Sequence, residues 1–318
     1  MGERLFPQSC FRGDIMGKVY RKQRIEGVTV PAVIHNGQYF WHNMAVYEDG
    51  TVSCWNKTDL CDVPYQLKRG WLTPFVLEGK GLSVHSLCWL NIVNADWKFD
   101  NESYFKFIEE TVRSINPEME NIYKTTEREK AKWKDYHVAF TADPTPCKLG
   151  GKFGYQLLDG DRSNILLRHD GEITLTQVIM YADGTFSVDA LGDDFLTLEE
   201  LEKLFRDKTL CTSVKEGERV SFGGLGSAEC KTVSSVDHSE KLKEIKERSL
   251  SVQNKPDAHE RCIKAYHAYL VEPTDFYKER LREAYEAVPE HERCYLGDMD
   301  TRDSDFIRIL YTDEKREV

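Results

Sequence analysis

The sequence predicts an α+β fold built as two related antiparallel-sheet units (an internal duplication) plus a helical C-terminal module. Three observations predict it. Tyr47-Glu-Asp-Gly-Thr-Val-Ser53 recurs as Tyr181-Ala-Asp-Gly-Thr-Phe-Ser187, and each copy sets an Asp-Gly pair between alternating apolar residues, the strongest short-range hairpin signal. Strands and helices do not alternate in the regular βαβ order of a parallel sheet. After residue 252 the apolar residues recur at helical spacing only.

In the first unit Met44 and Val46 precede the turn and Val52 follows it; Val178, Met180 and Phe186 do the same in the second. Downstream, Glu78-Gly-Lys-Gly-Leu-Ser-Val84 matches Glu216-Gly-Glu-Arg-Val-Ser-Phe222. A helix lies between these anchors in each unit. Thr197 and Glu200 form a capping box, stapled by Leu196 and Leu201. Leu201, Leu204 and Phe205 make its stripe, and Val63 and Leu67 keep that stripe in unit 1, where Pro64 sits in the first turn. A second helix closes each unit. Asp100 precedes Phe105, Ile108, Val112 and Ile115; Asp237 precedes Leu242 and Ile245, with Glu240 completing a capping box. Each unit reads strand, Asp-Gly turn, strand, helix, strand, helix, and the shared order marks a repeat.

In the last segment Cys262, Ala265, Tyr266 and Tyr269 recur at helical spacing, as do Tyr277, Leu281, Ala284 and Val288. Thr274 is a cap and Pro289 a stop. Tyr277, Leu281 and Val288 are expected to be buried against another part of the chain, since so short a helix is marginal alone. Phe306, Ile307 and Leu310 form a final amphipathic run. The chain thus divides into a non-native or flexible extension (1–15), repeat unit 1 (16–118), a linker (119–149), repeat unit 2 (150–252) and the helical module (253–318). Arg12-Gly13-Asp14 ahead of Met16 reads as a translated ribosome-binding site, so Met16 is the expected native start.

The 318 residues are 40% hydrophobic and 31% charged, enough apolar mass for true cores. A net charge of −11 argues against general nucleic-acid binding and against anionic membranes. No run of 18 apolar residues, the length a bilayer-spanning helix needs, is present. Nine scattered cysteines with no Cys-x-x-Cys pair fit reduced thiols in a cytoplasmic protein.

Asn43-Met-Ala-Val-Tyr-Glu-Asp-Gly-Thr-Val-Ser53 resembles a group of uncharacterised proteins from Gram-positive bacteria. Pro289-Glu-His-Glu-Arg-Cys-Tyr-Leu-Gly-Asp-Met-Asp300 is similar to another uncharacterised tail from the same organisms. The resemblance implies a bacterial or phage protein and brings no activity, cofactor or catalytic residue.

Catalytic motifs are sparse. Gly223-Gly224-Leu-Gly226 sits within a strand run, whereas a dinucleotide fingerprint opens a helix; a bulge or close strand packing is expected. Cys88 lies three residues from His85, on the opposite face of a strand. His35 and His42 flank a strand. Asp298, Asp300, Asp303 and Asp305 are weak candidates for Mg²⁺ or Ca²⁺, but Asp303 and Asp305 also suit the first turn of the helix that follows. No cofactor and no metal site is expected.

The aromatic distribution is uneven. Tyr39, Phe40 and Trp41 crowd one strand, and Trp55, Trp71, Trp89 and Trp97 all fall in unit 1, while unit 2 has no Trp. Trp55 aligns with Asp189 and Trp71 with Thr209. A shared core position would not exchange Trp for Asp, since an unpaired buried carboxylate is costly. Trp41, Trp55, Tyr39 and Trp71 are therefore the expected binding residues, with Trp55 and Trp41 on a partner-binding patch or a seam between units. The alternative is a core filled with larger rings.

The expected function is a non-enzymatic intracellular binding protein of bacterial or phage origin, with neutralisation of a toxin or a defence component as the role its class suggests. A protein partner is expected, and a small-molecule ligand stays open. The alternative is a hydrolase or nucleotide-handling enzyme with a non-standard site drawn from His35, His42, His85 and the Asp298–Asp305 cluster. A deep pocket joining a histidine to those acids would favour the enzyme; a flat aromatic patch on unit 1 would favour the binder.

Overall fold

Both repeats are organised around their Asp-Gly turns. Gly50 and Gly184 take φ of 75° and 81°, the left-handed region that a residue without Cβ enters freely. Asp49 Oδ1 accepts from the Thr51 amide at 2.9 Å and Asp183 Oδ1 from the Thr185 amide at 3.2 Å. The same side chain thus closes the same turn twice.

A computed structural model describes residues 25–129, 145–150, 154, 156–192 and 194–312. The expected start at Met16, the extension 1–15 and linker residues 130–144 lie outside them. The first repeat runs β1 (Gly27–Asn36), β2 (Gln38–Tyr47), β3 (Thr51–Cys54), β4 (Asn56–Asp59), α1 (Val63–Lys68), β5 (Leu72–Thr73), β6 (Gly81–Val84), β7 (Cys88–Trp97) and α2 (Asn101–Ile115). After β8 (Cys147–Gly150), the second runs β9 (Gln156–His169), β10 (Glu172–Tyr181), β11 (Phe186–Val188), α3 (Leu198–Arg206), β12 (Leu210–Cys211), β13 (Glu218–Ser221), β14 (Gly226–Ser235) and α4 (His238–Val252). The main strand path is β12-β9-β10-β13-β14-β7-β6-β2-β1-β5. Equivalent strands appear in reverse order on either side of the antiparallel β14–β7 pair.

The units are not wholly antiparallel. β2 pairs β6, and β10 pairs β13, in parallel. In each repeat the chain crosses through a helix, α1 or α3, before returning, and a parallel neighbour requires such a crossover. Pro64 opens α1, and the Thr197–Glu200 capping box opens α3. One apolar core runs through both repeats. At the seam the Trp41 ring lies 5.8 Å from Phe222 and the Trp97 ring 5.5 Å from it. Asn43 and Gln177 both donate to Asn164 Oδ1 at 3.3 Å. Gly226 is enclosed, since a Cβ there would stand 2.2 Å from Asp96 O. Gly226 is thus close strand packing, as expected, but Gly223–Leu225 form a 3-10 helix instead of continuing a strand.

The linker is not wholly free. The Tyr123 amide donates to Asp49 O and the Thr125 amide to Asp59 Oδ2, both at 2.7 Å, which ties its first residues to unit 1.

The module comprises α5 (Ala258–Val271), α6 (Asp275–Ala287), a 3-10 helix (Glu290–Tyr295) and α7 (Ser304–Tyr311). Leu281 and Val288 are buried, and Tyr277 half-buried. Leu281 and Val288 join Cys262, Tyr285 and Phe306 in a second core belonging to the module itself, not in a core shared with the rest of the chain. Short helices stabilise one another here by mutual packing.

Candidate functional site

The predicted aromatic residues separate. Trp41 and Tyr39 are buried, at 6% and 9% exposure. Trp41 belongs to the seam, and Tyr39 stacks on His35 with ring centroids 4.4 Å apart. Neither offers a face to a partner. Trp55 and Trp71 are half-buried and meet edge to face at 6.2 Å, with Phe40 5.1 Å from Trp55. Alternation along β2 explains the division, because Phe40 and Trp41 point to opposite faces. Trp55 stands alone between the paired residues Cys54 and Asn56, at the tip of the β3–β4 hairpin, with φ of 57°. A bulky side chain in that region is a genuine outlier. In unit 2 the place of β4 holds an isolated antiparallel bridge from Phe186 to Leu196, and Asp189 opens a 3-10 helix there, exposed.

The predicted acidic cluster is structural. Asp298 Oδ1 accepts from the Thr301 amide at 2.8 Å, Asp303 accepts from Tyr285 Oη at 2.7 Å, and Asp305 pairs with Arg308 at 2.9 Å. Asp300 is exposed in the same turn, its amide donating to Asp298 Oδ1. His35 and His42 lie on the paired strands β1 and β2, and His42 Nε2 meets Ser53 O at 3.4 Å. Neither histidine approaches those acids.

A different cluster forms where both repeats meet the module. Lys241 and Glu244, one turn apart on α4, have fully buried side chains. Lys241 Nζ donates to Ser86 O at 2.6 Å, Ser163 Oγ at 2.7 Å and Glu244 Oε2 at 2.8 Å. Ser163 Oγ donates to Glu244 Oε1 at 2.8 Å, and Arg248 reaches Asp161 at 2.7 Å. The module contributes His291, whose Nε2 lies 2.8 Å from Glu244 Oε2. Burial disfavours both charges of the pair. At Glu244 burial is outweighed by the His291 hydrogen bond, by Lys241 and by Ser163, which hold the carboxyl at about 2. At Lys241 burial wins and lowers the ammonium. An ionised Glu244 accepts only, so His291 Nε2 carries the proton.

Ligand atoms of Glu244, His291 and Glu292 lie within 4.8 Å of one another. This is poor cation chemistry, because the Glu244 oxygens already receive Lys241, Ser163, Arg248 and His291. Glu292 is pushed up by its own burial and by Glu244.

Sequence reasoning missed this cluster, although its signal was present. Aligning Asp100 with Asp237 places Lys241 at Tyr104 and Glu244 at Phe107, two charges where unit 1 has rings. Glu240, expected to close a capping box, instead accepts from the Glu290 amide of the module at 2.7 Å.

Fold and site together define a duplicated α+β protein with a docked helical module. The chain belongs to the family described as "Domain of unknown function (DUF7638)", whose model matches residues 16–119 and 151–256. Residues 257–318 match "Domain of unknown function (DUF7639)". The two matches to one model coincide with the two repeats. No curated protein and no solved structure matches the chain. No helix among the described residues is long and apolar enough to cross a membrane.

Proposed function

We propose that the chain is a non-enzymatic binding protein that engages a protein partner through Phe40, Trp55 and Trp71. The observation that carries this reading is the left-handed Trp55 at the tip of the β3–β4 hairpin. Backbone strain of this kind costs about 1–3 kcal/mol and concentrates at functional positions. It holds a large ring beside two others, and such rings are favoured interface anchors. Three buried thiols and a buried hydroxyl support the same reading. Burial pushes the Cys54, Cys88 and Cys230 thiols up to about 12, and Ser163 is buried between Lys241 and Glu244. Bacterial or phage origin, a cytoplasmic setting, and neutralisation of a toxin or defence component belong to the same proposal. Affinity capture from the host with wild-type and Trp55→Ala protein tests it: one stoichiometric protein should be retained by the first and lost by the second.

A further inference from the structure

A second site is independent of the aromatic patch. A cleft of about 400 Å³ opens where the β6–β7 turn of unit 1, the end of β14 in unit 2 and the 3-10 helix of the module converge. It takes His85 and Ser86 from the first, with Trp89 of β7 beside them, Ser234 and Ser235 from the second, and His291 and Tyr295 from the third. All three family segments build it.

Its chemistry sets it apart from the rest of this acidic chain. The lining holds hydroxyls, imidazoles and aromatic rims beside Val84, Leu87, Cys88 and Val236, with no carboxylate among its residues. Unit 2 has Gly223 and Gly224 where unit 1 has His85 and Ser86, and that glycine turn packs on Pro31. Unit 1 therefore places side chains where unit 2 has none. Ser86 takes φ of 51°, and the buried Lys241 fixes its carbonyl at 2.6 Å from behind. His291 keeps Nδ1 buried with no hydrogen-bond partner among the described residues, while Nε2 is committed to Glu244. A buried ring nitrogen of this kind calls for an explanation.

We infer that the cleft binds a phosphate-class oxyanion, with His85 and Ser86 as its donors, His291 Nδ1 as the acceptor for its hydroxyl, and Lys241 and Arg248, each paired with a carboxylate, behind it. The groups facing His85 are Arg248, Lys241 and Glu244 of α4 and His291 of the 3-10 helix, with Glu292 behind them. Partial desolvation, then Arg248, lowers the His85 imidazole from its ordinary range against the pull of Glu244, although the residue keeps an exposed face. His85 is thus neutral at neutral pH, and an anion in the cleft favours its protonation. The hydroxyl of a hydrogen phosphate would give the His291 Nδ1 lone pair the donor it lacks.

Calorimetric titration of the full chain tests this. Sulfate, whose charge is constant across the range, should bind saturably at about pH 6 and about tenfold more weakly at about pH 8, as the His85 imidazole loses its proton. Inorganic phosphate should bind in the same cleft, and His85→Gln should weaken both ions about tenfold or more. Trp55→Ala should leave them unchanged, which separates this site from the partner-binding patch. Should His85→Gln fail to fold, the His85 ring signals in wild-type NMR spectra give the same answer: they should move with added sulfate and titrate at higher pH in its presence. Phenyl phosphate distinguishes the source. Tighter binding than phosphate, lost in Trp89→Ala, assigns a phosphate ester, and equal affinity assigns the free ion. No saturable binding of sulfate or phosphate, or binding unchanged in a folded His85→Gln protein, overturns the proposal.

Discussion

Tyr104 and Lys241 hold the same place in the two repeats, each four residues beyond the Asp that caps its helix. Tyr104 Oη donates to Pro31 O of β1 at 2.8 Å, and Lys241 Nζ donates to Ser163 Oγ of β9 at 2.7 Å. One turn on, Phe107 in unit 1 becomes Glu244 in unit 2. The ring pair completes a core, whereas the ion pair presents a carboxylate to His291. Docking of the module is otherwise polar as well: Lys243 donates to Glu286 O at 2.8 Å, and Arg261 pairs with Glu247 at 2.9 Å.

Lys241→Ala should destabilise the protein by about 3–5 kcal/mol, because it strands a buried carboxylate. Lys241→Tyr with Glu244→Phe, which installs the unit 1 pair, should recover most of that loss in denaturant unfolding. A double variant no more stable than Lys241→Ala would mean that the two sites are not interchangeable.

Glu244 also sets an acid limb. Its folded-state pKa of about 2 lies below the ordinary 4.5. Its contribution is therefore full above about pH 4.5 and is lost as pH falls toward 2. Melting temperatures across that window should fall more steeply in wild type than in Glu244→Gln.

Much of this was legible in the sequence, and the exceptions share a cause. The Asp-Gly turns, the Thr197 cap and the apolar stripes are local, so a short window of sequence carries them. The parallel β2–β6 pair was not legible, because strand order depends on where a crossover returns. Lys241 looks like any solvated helix lysine until β9 and the β6–β7 turn close over it. Trp41 and Trp55 were grouped as aromatics, but the pleat and a hairpin tip send them to different surroundings.

The turn glycines should respond unequally. Gly50→Val and Gly184→Val both force a β-branched residue to positive φ, at about 1–3 kcal/mol each. A Cβ at Gly50 also stands 3.1 Å from Ile122 Cγ2, while one at Gly184 meets only the Gln253 side chain, at 3.4 Å. The Gly50 variant should have the lower melting temperature.

Removing residues 253–318 should leave a folded pair of repeats, because the module carries its own core. The remainder should still unfold cooperatively, several degrees lower, as Glu244 loses His291 and Glu240 loses the Glu290 amide. Collapse of near-UV circular dichroism in the truncated chain would mean that the module is needed for the repeats to fold.

The binding assignment rests most directly on Trp55. With a captured partner in hand, calorimetric affinities of wild type, Trp55→Ala and Trp89→Ala should be compared, with melting temperatures confirming that each is folded. The account predicts that Trp55→Ala weakens partner binding by about 1–4 kcal/mol, the range for a buried aromatic anchor, and that Trp89→Ala, in the separate cleft, leaves it unchanged. Equal affinity of a folded Trp55→Ala protein and wild type would contradict it.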